Sequence, residues 1–491
     1  MIKPNSIGNA LQGLLIALLG SVVVWLILGQ PETGIDDADI FFVYARHFAE
    51  GHGFVYNIGG ERVEGFTSML WTVICSCFSF FFHSIEKPVY LLNLLIGAAT
   101  VFVCLRRVRH PGLFLALLAS SPAWFAWCQV ALMETGLWCL LITLLGLAVF
   151  EQRIRLVCVL LPLLVLTRPE SMLWGLWAVL LVFMQAEKGG RFRTAWLPAL
   201  VFVSSLSILI AFRVWYFGYP FPNTYYAKVS PDFLANLSDG FGYLSGYVFG
   251  SAGVLVGIVF WLFAFWRGNG RREFMLAVFL LPGIGIPVLV GGDHFGGFRF
   301  YQPIWPLLCL LVVQQWPLLM ERINPRLVRL VLTGIVVSGW LAFPITANLK
   351  HEFRIAKEGR LTGATLTQMF GDLDTWPTVA TITAGGNKLG YSGPVYDLMG
   401  LNSTSMAQAP GEGVAFKNHT GFNRAVFYRW QPDILLCGDS HTFDSMVLNG
   451  LHDEPRFSAQ YVKCTLYRNG TELAAYYSNT FLMGIPEAAD H

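Results

Sequence analysis

Two adjacent carboxylates, Asp36 and Asp37, follow the first long apolar segment of the chain, in the stretch DDADIFFVYARHFAE. A carboxylate acts as a general base when it lies within hydrogen-bonding distance of the hydroxyl that it deprotonates. The alternative interpretation is structural, because an acid at the start of a helix caps it or interacts with its dipole. In a helix, Asp39, Arg46 and Glu50 share one arc, which is typical of a helix that lies along a membrane surface.

The composition shows what kind of protein carries these acids. Of the 491 residues, 55% are hydrophobic and 13% are charged, and the mean hydropathy is +0.54. An ordinary soluble globule does not have this composition, so the sequence predicts a polytopic α-helical membrane protein. The net charge of +2, spread over many short loops, gives no reason to expect a nucleic-acid partner.

Apolar runs that reach or approach the length of a membrane span recur along the first 346 residues and predict about eleven transmembrane helices. They occupy 11–28, 88–105, 112–129, 133–150, 156–167, 170–186, 195–217, 243–266, 274–290, 301–320 and 328–346. The first run is predicted to be a retained anchor, because no small-residue cleavage site follows it before Glu32.

The run 66–82 is apolar enough to span, but the distribution of basic residues argues against it. If this run lies in the outer interface instead, every basic cluster between later spans falls on the cytoplasmic side, as the positive-inside rule requires. These clusters are Arg106, Arg107 and Arg109; Arg153 and Arg155; Lys188, Arg191 and Arg193; Arg267, Arg271 and Arg272; and Arg322, Arg326 and Arg329. We therefore predict a first external loop at 29–87 that carries interfacial helices.

This topology collects nearly all other polar clusters of the membrane part on the outer face. They are Asp36, Asp37, Glu64, Glu134, Arg168, Glu170, Asn223, Tyr225, Tyr226, Lys228, Asp293, His294 and Arg299. Ionisable groups that gather at helix ends on one side of a membrane bundle indicate a functional site.

The chain becomes polar after residue 346, where glycine-rich turns separate short β-rich runs. The segments 379–383, 434–437 and 460–467 are predicted strands, and 356–370 is a predicted helix. Residues 347–491 therefore form a predicted small α/β domain on the outer face, above the transmembrane domain 1–346. Cys437 and Cys464 form a disulfide there or remain two free thiols.

A set of motifs in fixed order resembles the GT-C glycosyltransferases, and more narrowly the terminal arabinofuranosyltransferases of cell walls and their pilin-modifying relatives. The motifs are DDADIFFVYAR at 36–46, GHGFVYNIGGERVEGFTSMLW at 51–71, METG at 133–136, TRPE at 167–170, YFGYPFPNTYYAK at 216–228 and GGDHFGGFRFYQP at 291–303. The likeness covers about the first 305 residues and continues weakly through VYDLMGLN at 395–402. The resemblance implies a sugar donor on a polyprenyl phosphate, an outward-facing active site, and an aspartate of the first external loop as base. We therefore favour Asp36 as the base, with Asp37 as its neighbour or replacement.

Chemistry assigns roles to the remaining polar residues. A leaving phosphate gathers negative charge in the transition state and requires fixed cations or donors, for which Lys228, Arg299, His294 and Arg168 are candidates. Arg168 is equally well interpreted as half of an ion pair with Glu170 or as a snorkelling side chain.

Tyr225 could stack on the sugar or belong to the aromatic belt at the interface. Carboxylates near the sugar ring would stabilise an oxocarbenium-like state or position hydroxyls. Glu64, Glu134, Asp293 and Asn223 are the predicted positioning residues.

Structural roles remain open for some of these residues. Glu64 could equally pair with Arg62 or with a loop amide. His294 beside Asp293 is a weak metal signal, so no obligatory metal is predicted, although a divalent ion is possible.

The sequence thus predicts an inverting glycosyltransferase of the bacterial inner membrane, with its active site and C-terminal domain on the periplasmic side. The expected donor sugar is D-arabinofuranose, with a hexose or amino-arabinose as alternatives, and the acceptor is a surface polysaccharide, a lipid or a pilin-like protein. Another class is a polyprenyl-linked sugar transporter or flippase, although transporters place polar groups at midplane in broken helices of repeated halves. A third class is a sugar-binding protein, in which the C-terminal domain is the functional part and the transmembrane domain only anchors it.

Overall fold

The structure is a computed structural model that describes residues 6–228, 233–267, 271–320, 324–346, 348–410, 422–436, 447–448 and 450–485. The first part of the chain is helical. Its helices are α1 Ser6–Ile27, α2 Asp36–Ala49, α3 Met69–Ser79, α4 Glu86–Leu105, α5 Pro111–Ala119, α6 Pro122–Phe125, α7 Thr135–Phe150, α8 Ile154–Thr167, α9 Ser171–Gln185, α10 Arg191–Phe217, α11 Asn223–Lys228, α12 Phe233–Phe249, α13 Ala252–Arg267, α14 Arg271–Phe279, α15 Leu281–Leu289, α16 Trp305–Met320 and α17 Pro325–Thr346. A π-helical turn at Ala126–Val130 follows α6, and a 3-10 helix at Arg299–Ile304 precedes α16.

The predicted apolar runs all fall on helices, and the protein is a multi-pass membrane protein. By length and composition, five helices of the described chain qualify as spans, or up to seven if each of two bent pairs counts as one. Several other predicted spans coincide with shorter apolar helices, such as α7, α8 and α9, so the number eleven stays a prediction. The run 243–266 is not a straight span, because α12 and α13 meet at 108° around Gly250, where the helical pattern stops.

The helix α3 agrees with the placement of the run 66–82 outside the set of spans. Its 11 residues cover about 16 Å at 1.5 Å per residue, roughly half of the hydrocarbon core of a bilayer. Phe81, just beyond its end, is 82% exposed, which is typical of an aromatic side chain at a membrane interface.

The helix α2 is enclosed by protein over most of its length, whereas its polar arc predicted a helix with one face in water at a membrane surface. Every residue from Ala38 to Ala45 is buried, including Asp39 on the predicted polar arc. A helix that is apolar around most of its circumference is stable only when protein covers it on all sides. Here α3 and two elements of the C-terminal part pack against it.

The C-terminal part is an α/β unit, as predicted. Its elements are α18 Leu349–Phe370, β1 Val379–Thr381, α19 Ala384–Gly390, β2 Val395–Asp397, α20 Thr404–Ala407, α21 Arg424–Trp430, β3 Ile434–Leu436, a 3-10 turn Leu451–Asp453, α22 Pro455–Gln460, β4 Tyr461–Arg468, β5 Thr471–Ser478 and α23 Asn479–Gly484. The strand order is β2-β1-β3-β5-β4; β2, β1 and β3 are parallel, and β4 and β5 form an antiparallel hairpin. The choice between a disulfide and two free thiols involves Cys437, which lies outside the described residues.

One hydrophobic core joins the two parts of the chain. It runs from the membrane helices through α2 into α18 and one side of the sheet, while a smaller cluster covers the other side. The helix α2 is therefore held between the membrane helices and the C-terminal unit, and its first turn faces both.

Candidate active site

A cavity of about 580 Å³ opens beside the first turn of α2. Much of its wall is apolar, with Phe41, Phe66, Leu173, Ile286 and Leu289 among the side chains that contribute. The charged and polar lining residues are Asp37, Thr67, Arg168, Glu170, Thr224, Tyr225, Lys228, Asn236, Asp293, His294 and Arg299. A largely apolar cavity with a charged cluster suits a ligand that has both an apolar and an anionic part.

Asp37 lies at the centre of the charged cluster. Its Oδ2 is 3.4 Å from Nη1 of Arg299 and 3.9 Å from Nζ of Lys228. The three residues come from the first turn of α2, the start of the 3-10 helix and the end of α11. The structure therefore brings together groups that the sequence places far apart, as the predicted topology requires.

The loop at 291–298 positions Arg299 and Asp293. Gly291 and Gly292 adopt φ values of +84° and +77°, a region that glycine enters without steric cost, and the chain turns there into Asp293. The Asp293 carboxylate forms an ion pair with Nε of Arg299 at 2.7 Å. Burial alone would raise the pKa of Asp293, but the surrounding basic groups, Arg299 first and Lys228 among them, together hold the pKa below the usual value.

His294 lies on the same loop beside Asp293. Its backbone N–H donates to Oδ1 of Asp293 at 2.9 Å, and its ring Nδ1 lies 3.4 Å from the same oxygen. Burial lowers the pKa of this imidazole, which favours the neutral ring. His294 is therefore better suited to a hydrogen bond than to the role of a fixed cation.

Arg168 forms the ion pair with Glu170 that the sequence allowed, while its role toward a donor phosphate stays a prediction. It lines the cavity, and its side chain donates twice to Glu170, at 2.9 and 3.1 Å, and once to Glu134. Pro169 ends α8 directly after it, because proline cannot continue the helical hydrogen bonding. Glu134 is fully buried behind Arg168 and does not line the cavity, so its contact with the site passes through the arginine.

The two adjacent acids of α2 point in different directions. Successive residues of a helix are about 100° apart, and only Asp37 faces the cavity. The Asp36 carboxylate accepts backbone N–H groups of Gly385 at 3.0 Å and Gly386 at 2.8 Å. Asp36, which the sequence favours as the base, is therefore directed toward the C-terminal unit. Of these two acids, Asp37 is the one that lines the cavity.

Two of the predicted positioning residues, Glu64 and Asn223, make structural contacts and do not line the cavity. Glu64 accepts two hydrogen bonds from Arg213, at 2.8 and 2.9 Å, and both side chains are almost fully buried. The expected partner Arg62 stacks over the ring of Tyr216. The Asn223 side chain donates to the backbone carbonyls of residues 400 and 401, which ties α11 to the C-terminal unit. The neighbouring Tyr225 does line the cavity.

Sequence reasoning did not identify two acids of the C-terminal unit near the site. Glu352 of α18 is partly buried, and this burial together with the charges of Asp37 and Asp293 raises its pKa to about 7. Asp397 accepts three hydrogen bonds from the segment that follows it. Asp397 belongs to the VYDLMGLN motif, which was a usable signal, whereas nothing in the sequence around Glu352 marks it.

In the part of the chain that the structure describes, no group of three His, Cys, Asp or Glu side chains is arranged to hold a metal ion. The pair of Asp293 and His294 is thus not extended by a third ligand there. The absence of an obligatory metal stays a prediction.

Comparison with known proteins shows the fold but not a family. No family model and no curated protein matches this sequence. Among solved structures, the chain is similar to ArnT from Cupriavidus metallidurans, which was solved bound to undecaprenyl phosphate. The TM-score is 0.57 at 11% sequence identity, over 97% of this chain and 99% of the other. The GT-C fold predicted from the motifs is therefore confirmed over nearly the whole chain.

Proposed function

We propose that this protein is a membrane glycosyltransferase that moves a sugar from a polyprenyl phosphate to an acceptor hydroxyl, with Asp37 as the general base. The observation that carries the proposal is the contact of Asp37 with Lys228 and Arg299 on the wall of a largely apolar cavity. The fold supports it, because ArnT shares this fold and binds undecaprenyl phosphate.

The cavity matches the two halves of such a donor. An isoprenoid chain requires apolar walls, and the side chains around Phe66, Leu173 and Leu289 provide them. The phosphate requires cations, and Lys228, Arg299 and Arg168 lie close together. Lys228 and Arg299 both contact Asp37, and both arginines lie over the ring of Phe300. An incoming phosphate would compete with Asp37 for two of these cations.

The proposed reaction is a single displacement. Asp37 takes the proton of the acceptor hydroxyl while the acceptor oxygen forms a bond to the anomeric carbon. The bond between that carbon and the phosphate oxygen breaks, and the phosphate leaves with the electron pair. Lys228, Arg299 and Arg168 stabilise the charge that accumulates on it.

The stereochemical outcome follows from the number of available acids. A retaining double displacement requires a second carboxylate that attacks the sugar. Among the described residues of the cavity wall, the other carboxylates, Asp293 and Glu170, are held by Arg299 and Arg168. Inversion at the anomeric carbon is therefore the expected result.

The motif resemblance supports D-arabinofuranose as the donor sugar, while the fold is equally compatible with amino-arabinose or a hexose. The acceptor would be a surface polysaccharide, a lipid or a pilin-like protein. The distribution of basic clusters supports a bacterial inner membrane protein with the cavity and the C-terminal unit on the periplasmic side.

One observation favours a second candidate, a transporter of polyprenyl-linked sugars. The helices α12 and α13 form a sharply broken pair, and Phe233 and Asn236 of α12 line the cavity. Broken helices beside a substrate site are typical of transporters.

The test supplies the purified protein in nanodiscs with polyprenyl phosphate carrying labelled D-arabinofuranose, amino-arabinose or a hexose. Envelope fractions from cells that lack the protein serve as the acceptor. We expect label in the acceptor with one sugar, a loss of transfer in Asp37→Asn, and wild-type transfer in the exposed control Asp239→Asn. Movement of the intact lipid across a vesicle membrane without transfer would favour the transporter. Mass analysis of surface glycans from cells with and without the protein identifies the acceptor.

A further inference from the structure

The first turn of α2 carries three acids that are held by three different parts of the molecule. Asp37 faces the cavity, Asp36 faces α19, and Asp39 faces α18. Two of the three anchors therefore belong to the C-terminal unit, on either side of the residue proposed as the base.

The contact between Asp36 and α19 requires glycine on the opposite side. Both carboxylate oxygens of Asp36 accept backbone N–H groups, from Gly385 and Gly386. A Cβ atom at Gly385 would overlap the backbone carbonyl of Asp36. The two backbones thus approach more closely than any side chain at position 385 allows.

The contact between Asp39 and α18 lies one helical turn from the first. Asp39 is fully buried and accepts hydrogen bonds from Nε and Nη2 of Arg360, the former at 2.7 Å. The same guanidinium donates to Glu86 at the start of α4. Arg360 therefore joins the C-terminal unit, the first loop and a membrane helix.

Further contacts hold α19 against the first external loop. The Tyr56 hydroxyl donates to the carbonyl of Ala384 at 2.7 Å, and Arg46 donates to the carbonyl of Leu389 at 3.0 Å. The contacts of Asp36 lie between these two, so the first external loop binds α19 along its whole length.

We infer that Asp36 and Asp39 are positioning residues through which the C-terminal unit fixes the first turn of α2 and thereby aims the Asp37 carboxylate. The C-terminal unit is then part of the catalytic machinery, although in the described chain its own contribution to the cavity wall is small. This inference rests on the proposed function, in which Asp37 is the base.

Weakening the contacts of Asp36 and Asp39 with the C-terminal unit is expected to affect the reaction rate. A displacement of a catalytic group by about 1 Å costs up to roughly 100-fold in rate. The donor phosphate is held by cations that stay in place, so donor binding is retained. A loss in the turnover number with little change in KM is the signature of an interaction that acts mainly in the transition state.

The experiment loosens the contact from each side separately. Asp36→Asn replaces one accepting oxygen with an amide that faces a backbone N–H, and Gly385→Ala introduces the overlapping Cβ. The matched control is Asp433→Asn, because Oδ2 of Asp433 also accepts a backbone N–H, from Thr378, but joins two strands of the sheet away from α2. Transfer rates are normalised to folded protein, and hydrogen exchange is followed at the amides of Gly385 and Gly386.

We expect both variants to lose roughly 10- to 100-fold in kcat, with the donor KM within about twofold of wild type. The acid limb of the pH–rate profile remains at the wild-type pH, since Asp37 is still the base. Amides 385 and 386 exchange faster in Asp36→Asn, and Asp433→Asn keeps wild-type kcat.

Three results would overturn the inference. Wild-type kcat in both variants would show that the contact does not matter, and an equal loss in Asp433→Asn would reduce it to general stability. Disappearance of the acid limb in Asp36→Asn would make Asp36 the base. If wild-type protein transfers no sugar at all, the proposed function fails, whereas unchanged exchange at 385 and 386 in Asp36→Asn refutes the contact itself.

Discussion

Replacement of Asp37 by Asn separates the two tasks that this position has in the proposed mechanism. The amide keeps the size of the side chain but neither accepts the acceptor proton nor carries a negative charge. Loss of a general base lowers turnover by about 10² to 10⁴. The removed charge also leaves Lys228 and Arg299 without one of their anionic partners, at 3.9 and 3.4 Å.

The second effect works in the opposite direction on donor binding. At an effective dielectric constant of ~20, a pair of unit charges about 4 Å apart interacts with roughly 4 kcal/mol before desolvation and screening. The wild-type phosphate must compete with Asp37 for these cations, whereas in Asp37→Asn it does not. If a third of one such interaction becomes available, about 1.4 kcal/mol, the phosphate binds about tenfold more tightly.

The assay therefore measures both quantities in the same preparations. Binding of undecaprenyl phosphate to nanodisc-embedded protein gives the affinity, and single-turnover transfer of the labelled sugar gives the rate. We expect Asp37→Asn to bind the lipid phosphate more tightly and to transfer sugar at least a hundredfold more slowly. Weaker lipid binding, or a rate above a tenth of wild type, would refute the assignment of Asp37 as a base that shares its cations with the donor.

Three further predictions test other parts of the site. Glu64→Gln leaves the guanidinium of Arg213 buried without its anion, so we expect a loss of about 3–5 kcal/mol in unfolding free energy. The loss is measured as a lower thermal midpoint, and an unchanged midpoint would contradict the prediction. Lys228→Ala removes a charge-assisted contact of about 1.5 kcal/mol, so the donor KM should rise about tenfold while the acceptor KM stays constant. The folded-state pKa of Asp36 is raised from 3.8 to about 7, chiefly by burial, and that of Glu352 from 4.5 to about 7. Between about pH 4 and 7 the folded chain thus holds protons that the unfolded chain has lost, so stability falls as the pH rises through this window. The thermal midpoint should therefore be higher at pH 5 than at pH 7. Asp36→Asn should reduce this difference between the two midpoints.

The sequence indicated the convergence of the cations because charge distribution follows membrane topology. Once the run 66–82 is kept out of the membrane, Arg168, Lys228 and Arg299 must lie at the same face, and the structure places all three on one cavity. This inference requires only the direction in which the chain enters and leaves the bilayer, which the basic clusters record.

The choice between Asp36 and Asp37 was not accessible from the sequence. Both acids occupy the first turn of α2, and the resemblance to known enzymes points only to an acid of this loop. The Asp36 carboxylate is bound by α19, whose glycines lie about 350 residues later in the chain. For the same reason Glu64 could not be matched with Arg213, since ion-pair partners that are far apart in the chain leave no trace in local spacing.

The ion pairs around Arg299 suit a buried site to the proposed transfer, because no uncompensated charge develops in it. As the acceptor proton reaches Asp37, that carboxylate becomes neutral, while the leaving phosphate gains one negative charge. The total charge of the cluster is unchanged, which matters because an isolated charge in a low-dielectric site is very costly. This transfer of negative charge from Asp37 to the phosphate requires that the base and the leaving group share the same cations. A cation that turns from one to the other must be held in place during the reaction. Asp293, 2.7 Å from Arg299, provides that anchor, because it keeps the guanidinium in position when Asp37 no longer attracts it.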